Sequence, residues 1–387
     1  METMLREPTA AGTDWVAVVR ELGPAFAARA GDCDARDEFV AENFAELKRS
    51  GVIAAGVPRE LGGGGASHAE LCAMLRALAA FCPATALTLS MHMHAVATAV
   101  WRWRKEGGPV EGLLRRIAAE NLVLVTSGGS DWLPGSGRAE RVEGGWRVSG
   151  RKIFASGAPA GDLLMTGAVY EDPEAGPTVL HFAVPLRDES VEILDTWRVL
   201  GMRATGSQDL RIEGFFVPEA AVSVRRPGGR WHLLYHVIVM FALPLIYSVY
   251  LGIAEAARDK AIALARKRAA DPGLPYLVGE MELELTTARL AHAEMVALAA
   301  AGQPGVETTD RVAAARTLLG RAAIRAVEKA MEVAGGAAFY RAHGLERLFR
   351  DVQAARYHPI QEKAQLRMSG RLALGLGIDE PEARPAA

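Results

Sequence analysis

The stretch Ala139-Glu-Arg-Val-Glu-Gly-Gly-Trp-Arg-Val-Ser149 decides how the chain is organised. Ala139 to Val142 and Trp146 to Ser149 are short runs of strand character, and Gly144 and Gly145 between them close a β-hairpin. The neighbouring sequence continues in the same style. Leu122-Val-Leu-Val-Thr126 is a buried-strand pattern, and Asp162–Ala168, Val179–Val184 and Leu210–Val217 add three more strands. Gly157, Pro173, Gly176 and Gly201 punctuate them as turn residues. Residues 121–225 are therefore expected to form a small β domain, a sandwich or barrel.

On either side the period changes to that of a helix. Asp37–Arg49 places Phe39, Val40, Phe44 and Leu47 on one face, and Ala69–Phe81 does the same with Leu71, Met74, Leu75 and Leu78. Pro58–Ser67 is a glycine-rich loop between them. Beyond the strands, helices are predicted over Leu251–Arg268, Gly279–Ala300 and Val312–Val333, the last stopped by Gly335-Gly336. A final helix begins near Ile360, and Glu380–Ala387 is a polar tail. The expected fold class is α+β: an N-terminal helical domain (1–120), the β domain (121–225) and a C-terminal helical bundle (226–387). A chain of 387 residues exceeds a single hydrophobic core, in keeping with several packed domains.

Net charge is −2, which argues against nucleic acid or an anionic membrane surface as the main partner. Trp231–Ala254 carries no formal charge and is long enough to span a bilayer. Pro244 and His236 interrupt it and no second span accompanies it, so a fully buried bundle helix is expected, with no membrane partner. Cys33, Cys72 and Cys82 lack CxxC spacing and suit buried thiols in a reducing compartment. Met1–Thr13 has no apolar core, so no secretory signal is read there and a cytoplasmic location is expected. Neither GxGxxG after a strand, nor GK[ST], nor GxSxG occurs. Met91-His92-Met93-His94 offers histidines two apart, which diverge on a helix, so no metal site is expected.

Local motifs in order along the chain resemble the acyl-CoA dehydrogenase superfamily. They are Val57-Pro-Arg-Glu-Leu-Gly-Gly63, Thr126-Ser-Gly-Gly-Ser-Asp131, Val148-Ser-Gly-Arg-Lys-Ile-Phe-Ala-Ser156, Leu200-Gly-Met-Arg-Ala-Thr-Gly-Ser207 with Phe215-Phe-Val-Pro218, and Val333-Ala-Gly-Gly336 with Arg347-Leu-Phe-Arg-Asp351. The resemblance implies FAD, or FMN in a monooxygenase. By it, Phe154 flanks the flavin ring, Ser156 stands near its N5, Val125 and Thr126 meet the pyrimidine edge, and Ser130 contacts the pyrophosphate. Arg268, Gly335 and Gly336 face the cofactor of a neighbouring subunit, which implies a homodimer or homotetramer.

The usual catalytic glutamate of the family is missing. Its two known positions fall on Pro359 and near Ala242. His358 and Glu362 are the nearest candidates for a displaced base. Three functions follow from the resemblance. One is α,β-dehydrogenation of an acyl thioester, with electrons leaving to an electron-transfer flavoprotein. The second is a two-component monooxygenase or N-hydroxylase, fed by a flavin reductase, with His358 beside a C4a-hydroperoxide. The third is a family member without activity. The sequence favours the dehydrogenase.

Overall fold

A computed structural model describes residues 12–107, 109–128 and 131–379. Among the described residues, the first helices are α1 (Trp15–Arg36), α2 (Ala41–Arg49), α3 (His68–Ala79), α4 (Pro83–Glu106) and α5 (Pro109–Glu120). Their starts follow local capping chemistry. The Asp14 carboxylate accepts the Ala17 N–H, and Ser67 and Glu70 form a reciprocal capping box at α3. Pro83 opens α4, where its missing N–H costs nothing. The helix expected from Asp37 begins at Ala41, because Asp37 adopts a left-handed conformation that ends α1.

The strands among the described residues are β1 (Leu124–Thr126), β2 (Arg138–Val142), β3 (Gly145–Ala155), β4 (Leu163–Asp172), β5 (Gly176–Pro185), β6 (Val191–Leu194), β7 (Gln208–Pro218) and β8 (Val224–Pro227). They form one mixed sheet in the order β6-β7-β3-β2-β4-β5-β8, with β1 parallel to β4. The opening hairpin is β2–β3, with Val142 opposite Gly145. Only Glu143 and Gly144 form its turn. Gly145 belongs to the strand, where a Cβ would lie 2.2 Å from the Val217 carbonyl. The short β6 and β8 escape the sequence pattern, since each has only four residues.

The C-terminal helices are α6 (Leu233–Ala265), α7 (Leu274–Ala301), α8 (Val306–Ala334), α9 (Leu345–Val352) and α10 (Glu362–Ala373). The uncharged run occupies the approach to α6 and its first two-thirds. Of its most apolar window 89% is buried inside the protein, as expected of a central bundle helix. Pro244 sits inside α6, and its carbonyl accepts from Ser248 and contacts His292. α8 ends where expected, at Gly335 with φ +65°.

One hydrophobic core runs through α1, α3 and α4 into α6, α7 and α8, and the sheet has its own core around Trp146, Leu164, Phe182 and Leu210. Cys72 and Cys82 are buried, but Cys33 is only half-buried near the end of α1, so the expectation of three buried thiols holds for two.

Candidate flavin and substrate site

The β3 end carries the most unusual backbone of the β domain. Phe154 has φ +58°, a region a bulky side chain rarely adopts, and its ring is 50% exposed. Trp197 braces that ring edge-on at 5.9 Å between centroids. An aromatic face held out to solvent by a costly backbone conformation suits a planar ligand ring. Two residues on, the Ser156 hydroxyl lies 2.7 Å from Ser207, which lies 2.7 Å from Thr205. This hydroxyl chain links β3 to the loop before β7. Val125 is fully buried in the sheet core, paired in the β1–β4 ladder. Thr126 ends β1 with its hydroxyl 3.4 Å from His94 Nε2. Ser130 lies outside the described residues.

A buried ion pair fixes the loop after β1. Lys152 Nζ, fully buried, donates to Asp131 at 2.9 Å and to the Ser136 and Gly167 carbonyls. Asp131 also accepts from Ser127, Ser136 and Thr166. A buried charge so fully hydrogen-bonded is a rigid anchor. Both residues lie inside the motifs that carry the family resemblance, where their pairing is not apparent. The available signal is an acid and a lysine within otherwise strand-like sequence.

A second clamp joins the C-terminal helices to the same platform. The Asp351 carboxylate accepts the Met202 N–H at 2.6 Å, and burial raises this carboxyl to about 6. Arg350 pairs with Asp34 at 2.6 Å and donates to the Leu200 carbonyl. The Leu200–Met202 end of the loop is thereby held against α9.

His358 follows α9. Its Nε2 shares a hydrogen bond with Tyr250 Oη, while among the described residues its Nδ1 has no partner. Arg316, 2% exposed, donates to the carbonyls of Ala355 and His358 at 3.0 and 2.8 Å. It lies over the Tyr247 ring, whose hydroxyl donates to Ala355 as well. Burial first, then the Arg316 charge, then His94, push His358 down to about 3. Burial also holds the Tyr250 phenol well above its ordinary value. The pair is therefore a neutral imidazole and a neutral phenol at neutral pH.

His92 and His94 part company, as their spacing requires. His92 is sealed between the Ile53 carbonyl and the Leu124 N–H, and lines nothing. His94 keeps some exposure, has a partnerless Nδ1, and is close enough to bear on His358. His94, Thr126, Tyr250 and His358 thus gather from α4, β1, α6 and the segment after α9.

Glu362 does not join them. Arg321 binds its carboxylate at 2.7 Å on an exposed face of α8 and holds it below the ordinary glutamate range. Pro359 and Ala242 bring no carboxylate either. Arg268 and Gly335 do meet: the Arg268 guanidinium donates to the Val333 carbonyl, and a Cβ on Gly335 would lie 3.4 Å from it. Gly336 beside them is exposed.

Helices flanking the sheet in sequence, and an aromatic face held out to solvent from the sheet, suit a flavoprotein. Family models for the N-terminal, middle and C-terminal domains of acyl-CoA dehydrogenase match residues 15–106, 126–215 and 245–362, and the chain belongs to that family. Among its relatives, the amino sugar nitrososynthase RubN8 of Streptomyces rubradiris is 30% identical over 90% of this chain and 86% of its own. The putative acyl-CoA dehydrogenase YdbM of Bacillus subtilis is 28% identical over 90% and 94%. The solved structure of KijD3, in complex with FMN and a dTDP-linked amino-keto sugar, superposes with a TM-score of 0.87 at 28% identity, covering 96% and 97% of the two chains.

Proposed function

We propose that this protein is the oxygenase of a two-component, flavin-dependent monooxygenase, and that it oxygenates the nitrogen of a small amine such as an amino sugar. The observation that carries the reading is the corner at His358. A dehydrogenase needs a base strong enough to take an α-proton from a thioester. Glu362 is spent on Arg321, and an imidazole pushed down to about 3 is a weak base. A neutral imidazole and phenol, by contrast, are well suited to hold a proton by hydrogen bonding without carrying charge. The relatives named as nitrososynthases and the FMN complex of KijD3 support the same choice.

FMN or FAD is the expected cofactor, held against Phe154 with Ser156 and Thr126 at its edges. Bound in reduced form, the flavin supplies two electrons to O2, so that one oxygen atom reaches the substrate and the other leaves as water. Tyr250 and Arg316 orient His358. His358 Nδ1 is free to hold or pass a proton, and His94 and Thr126 offer a second polar contact. A flavin reductase is the expected electron donor.

The test supplies FMN or FAD, an NAD(P)H-driven flavin reductase, O2 and a panel of amines, and follows oxygen transfer by mass spectrometry with heavy-isotope O2. Labelled, N-oxygenated product is the expected result. Anaerobic bleaching of bound flavin by an acyl-CoA thioester, with no labelled product, would instead establish the dehydrogenase. Failure to bind either flavin would mark a member without activity.

A further inference from the structure

α6 reaches both parts of the candidate site. Near its start, Tyr235 Oη donates at 2.8 Å to the carbonyl of Asp131, in the loop after β1 that Lys152 anchors. Fifteen residues on, Tyr250 Oη shares its hydrogen bond with His358. At ~1.5 Å of rise per residue, the two contacts stand about 22 Å apart along the helix. Pro244 falls between them. A proline inside a helix offers no N–H to the carbonyl four residues back, here Met240, and its ring pushes that turn away. A helix interrupted in this way bends readily, so its neighbours set the angle between the two halves.

Two neighbouring helices reach the break with polar side chains. From α3, His68 Nε2 donates to the Phe241 carbonyl at 2.9 Å, just before Pro244. From α7, His292 Nε2 lies 2.7 Å from Ser248 Oγ and 3.3 Å from the Pro244 carbonyl, just after it. The Ser248 hydroxyl donates to the same carbonyl at 2.8 Å. A carbonyl only accepts, so both rings carry their hydrogen on Nε2. Burial holds both histidines at about 4, which keeps them neutral. The second nitrogen of His68 faces the Cys72 thiol at 3.7 Å. None of these hydrogen bonds includes a residue of the candidate site. Apolar side chains would fill the same core, but they cannot fix a backbone carbonyl in one direction.

The later half of α6 is fixed to the same two helices. A Cβ on Gly252 would lie 2.3 Å from the Arg76 carbonyl, so α3 packs directly on α6 there. Glu255 accepts from Arg76 of α3 at 2.6 Å and from Arg289 of α7 at 2.9 Å. His68 then ties the earlier half to that clamp.

We propose that His68, Ser248 and His292 are positioning residues: by pinning α6 on both sides of Pro244, they set where Tyr250 and His358 stand relative to the flavin loop held by Tyr235. Their part in turnover rests on the oxygenase reading above. With the two parts out of register, the two electrons and two protons of reduced flavin pass to O2 as hydrogen peroxide, and less oxygen reaches the amine.

Two measurements on the full chain test it. The first needs no reaction: nitrogen-15 NMR of histidine-labelled protein, with the His358 signal identified by its loss in His358→Ala. His68→Leu and His292→Leu are expected to shift that signal, and His68→Gln and His292→Gln, which return an N–H donor, to restore it. The second follows heavy-isotope product and hydrogen peroxide with flavin, reductase, O2 and amine. The Leu variants are expected to lose roughly 10–100-fold in product, the scale of a small misplacement of reacting groups, with peroxide rising and flavin affinity unchanged. The Gln variants are expected to recover coupling. An unmoved His358 signal in the folded Leu variants, or equal losses in the Leu and Gln variants, would overturn the proposal. A wild type that oxygenates no amine would sink the oxygenase reading instead, and the histidine spectrum would still decide the positioning. Should the Leu variants fail to fold, Ser248→Ala carries both measurements with the same expected shift and loss.

Discussion

Phe154, Ser156, Asp131 and Lys152 come from one stretch of chain, where β3 and the loop after β1 lie side by side. His94, Tyr250, Arg316 and His358 come from α4, α6, α8 and the segment after α9, which only the packed bundle brings together. The first region holds its shape through local hydrogen bonds and a buried ion pair. The second depends on how four distant segments dock. The first region can therefore be tested apart from the second.

The largest effect is expected where that independence is broken at its base. Lys152→Met leaves Asp131 buried without its cation, and should cost about 3–5 kcal/mol of stability, read by urea denaturation, together with flavin binding. Unchanged stability would show that the ion pair is not the anchor of the platform. His358→Ala should do the reverse. Flavin affinity should stay near wild type, while labelled product falls by roughly 10²–10⁴-fold, the range of a lost proton-handling group. Loss of flavin binding in this variant would join the two regions into one.

A smaller effect is expected from Phe154→Ala, which removes the aromatic wall. Flavin affinity should weaken by roughly tenfold, corresponding to about 1–1.5 kcal/mol for an aromatic contact, with thermal stability little changed. Acid should act in a graded way on the buried histidines, His358 and His94 of the second region among them. The folded protein holds His358 and His181 at about 3 and His68, His92, His94 and His292 at about 4, all chiefly by burial. The unfolded chain binds protons at these groups from about 6.5 downward, so the stability they contribute is present above that pH and is lost as pH falls toward their folded values. The melting temperature should therefore decline between about pH 6.5 and 4; a flat profile would contradict the buried neutral histidines. Glu362→Gln should be nearly silent, at about 0–1 kcal/mol with turnover unchanged, because its pair with Arg321 is solvent-facing.

The β-hairpin at Ala139–Ser149, the helices around Phe44, Leu75 and Leu319, and the stop at Gly335 were legible because each rests on local periodicity or a single backbone requirement. The short strands β6 and β8 were not, since four residues carry too little pattern. In the candidate site, Phe154 and Ser156 could be picked out by their motif, and His358 by the place of a missing glutamate. Glu362 looked equivalent to His358 on spacing alone. Packing separated them, turning one toward Tyr250 and the other toward Arg321.

The sequence by itself determined the helix–sheet–helix order, the burial of the uncharged run in α6 and the motif of the candidate platform at Phe154, because hydrophobic period and turn chemistry act over a few residues. Only the tertiary structure decided that His358 is neutral and that Arg316 and Tyr250 hold it. Those properties are set by desolvation and by charges from residues far apart in the chain, and they exist only once the segments have packed.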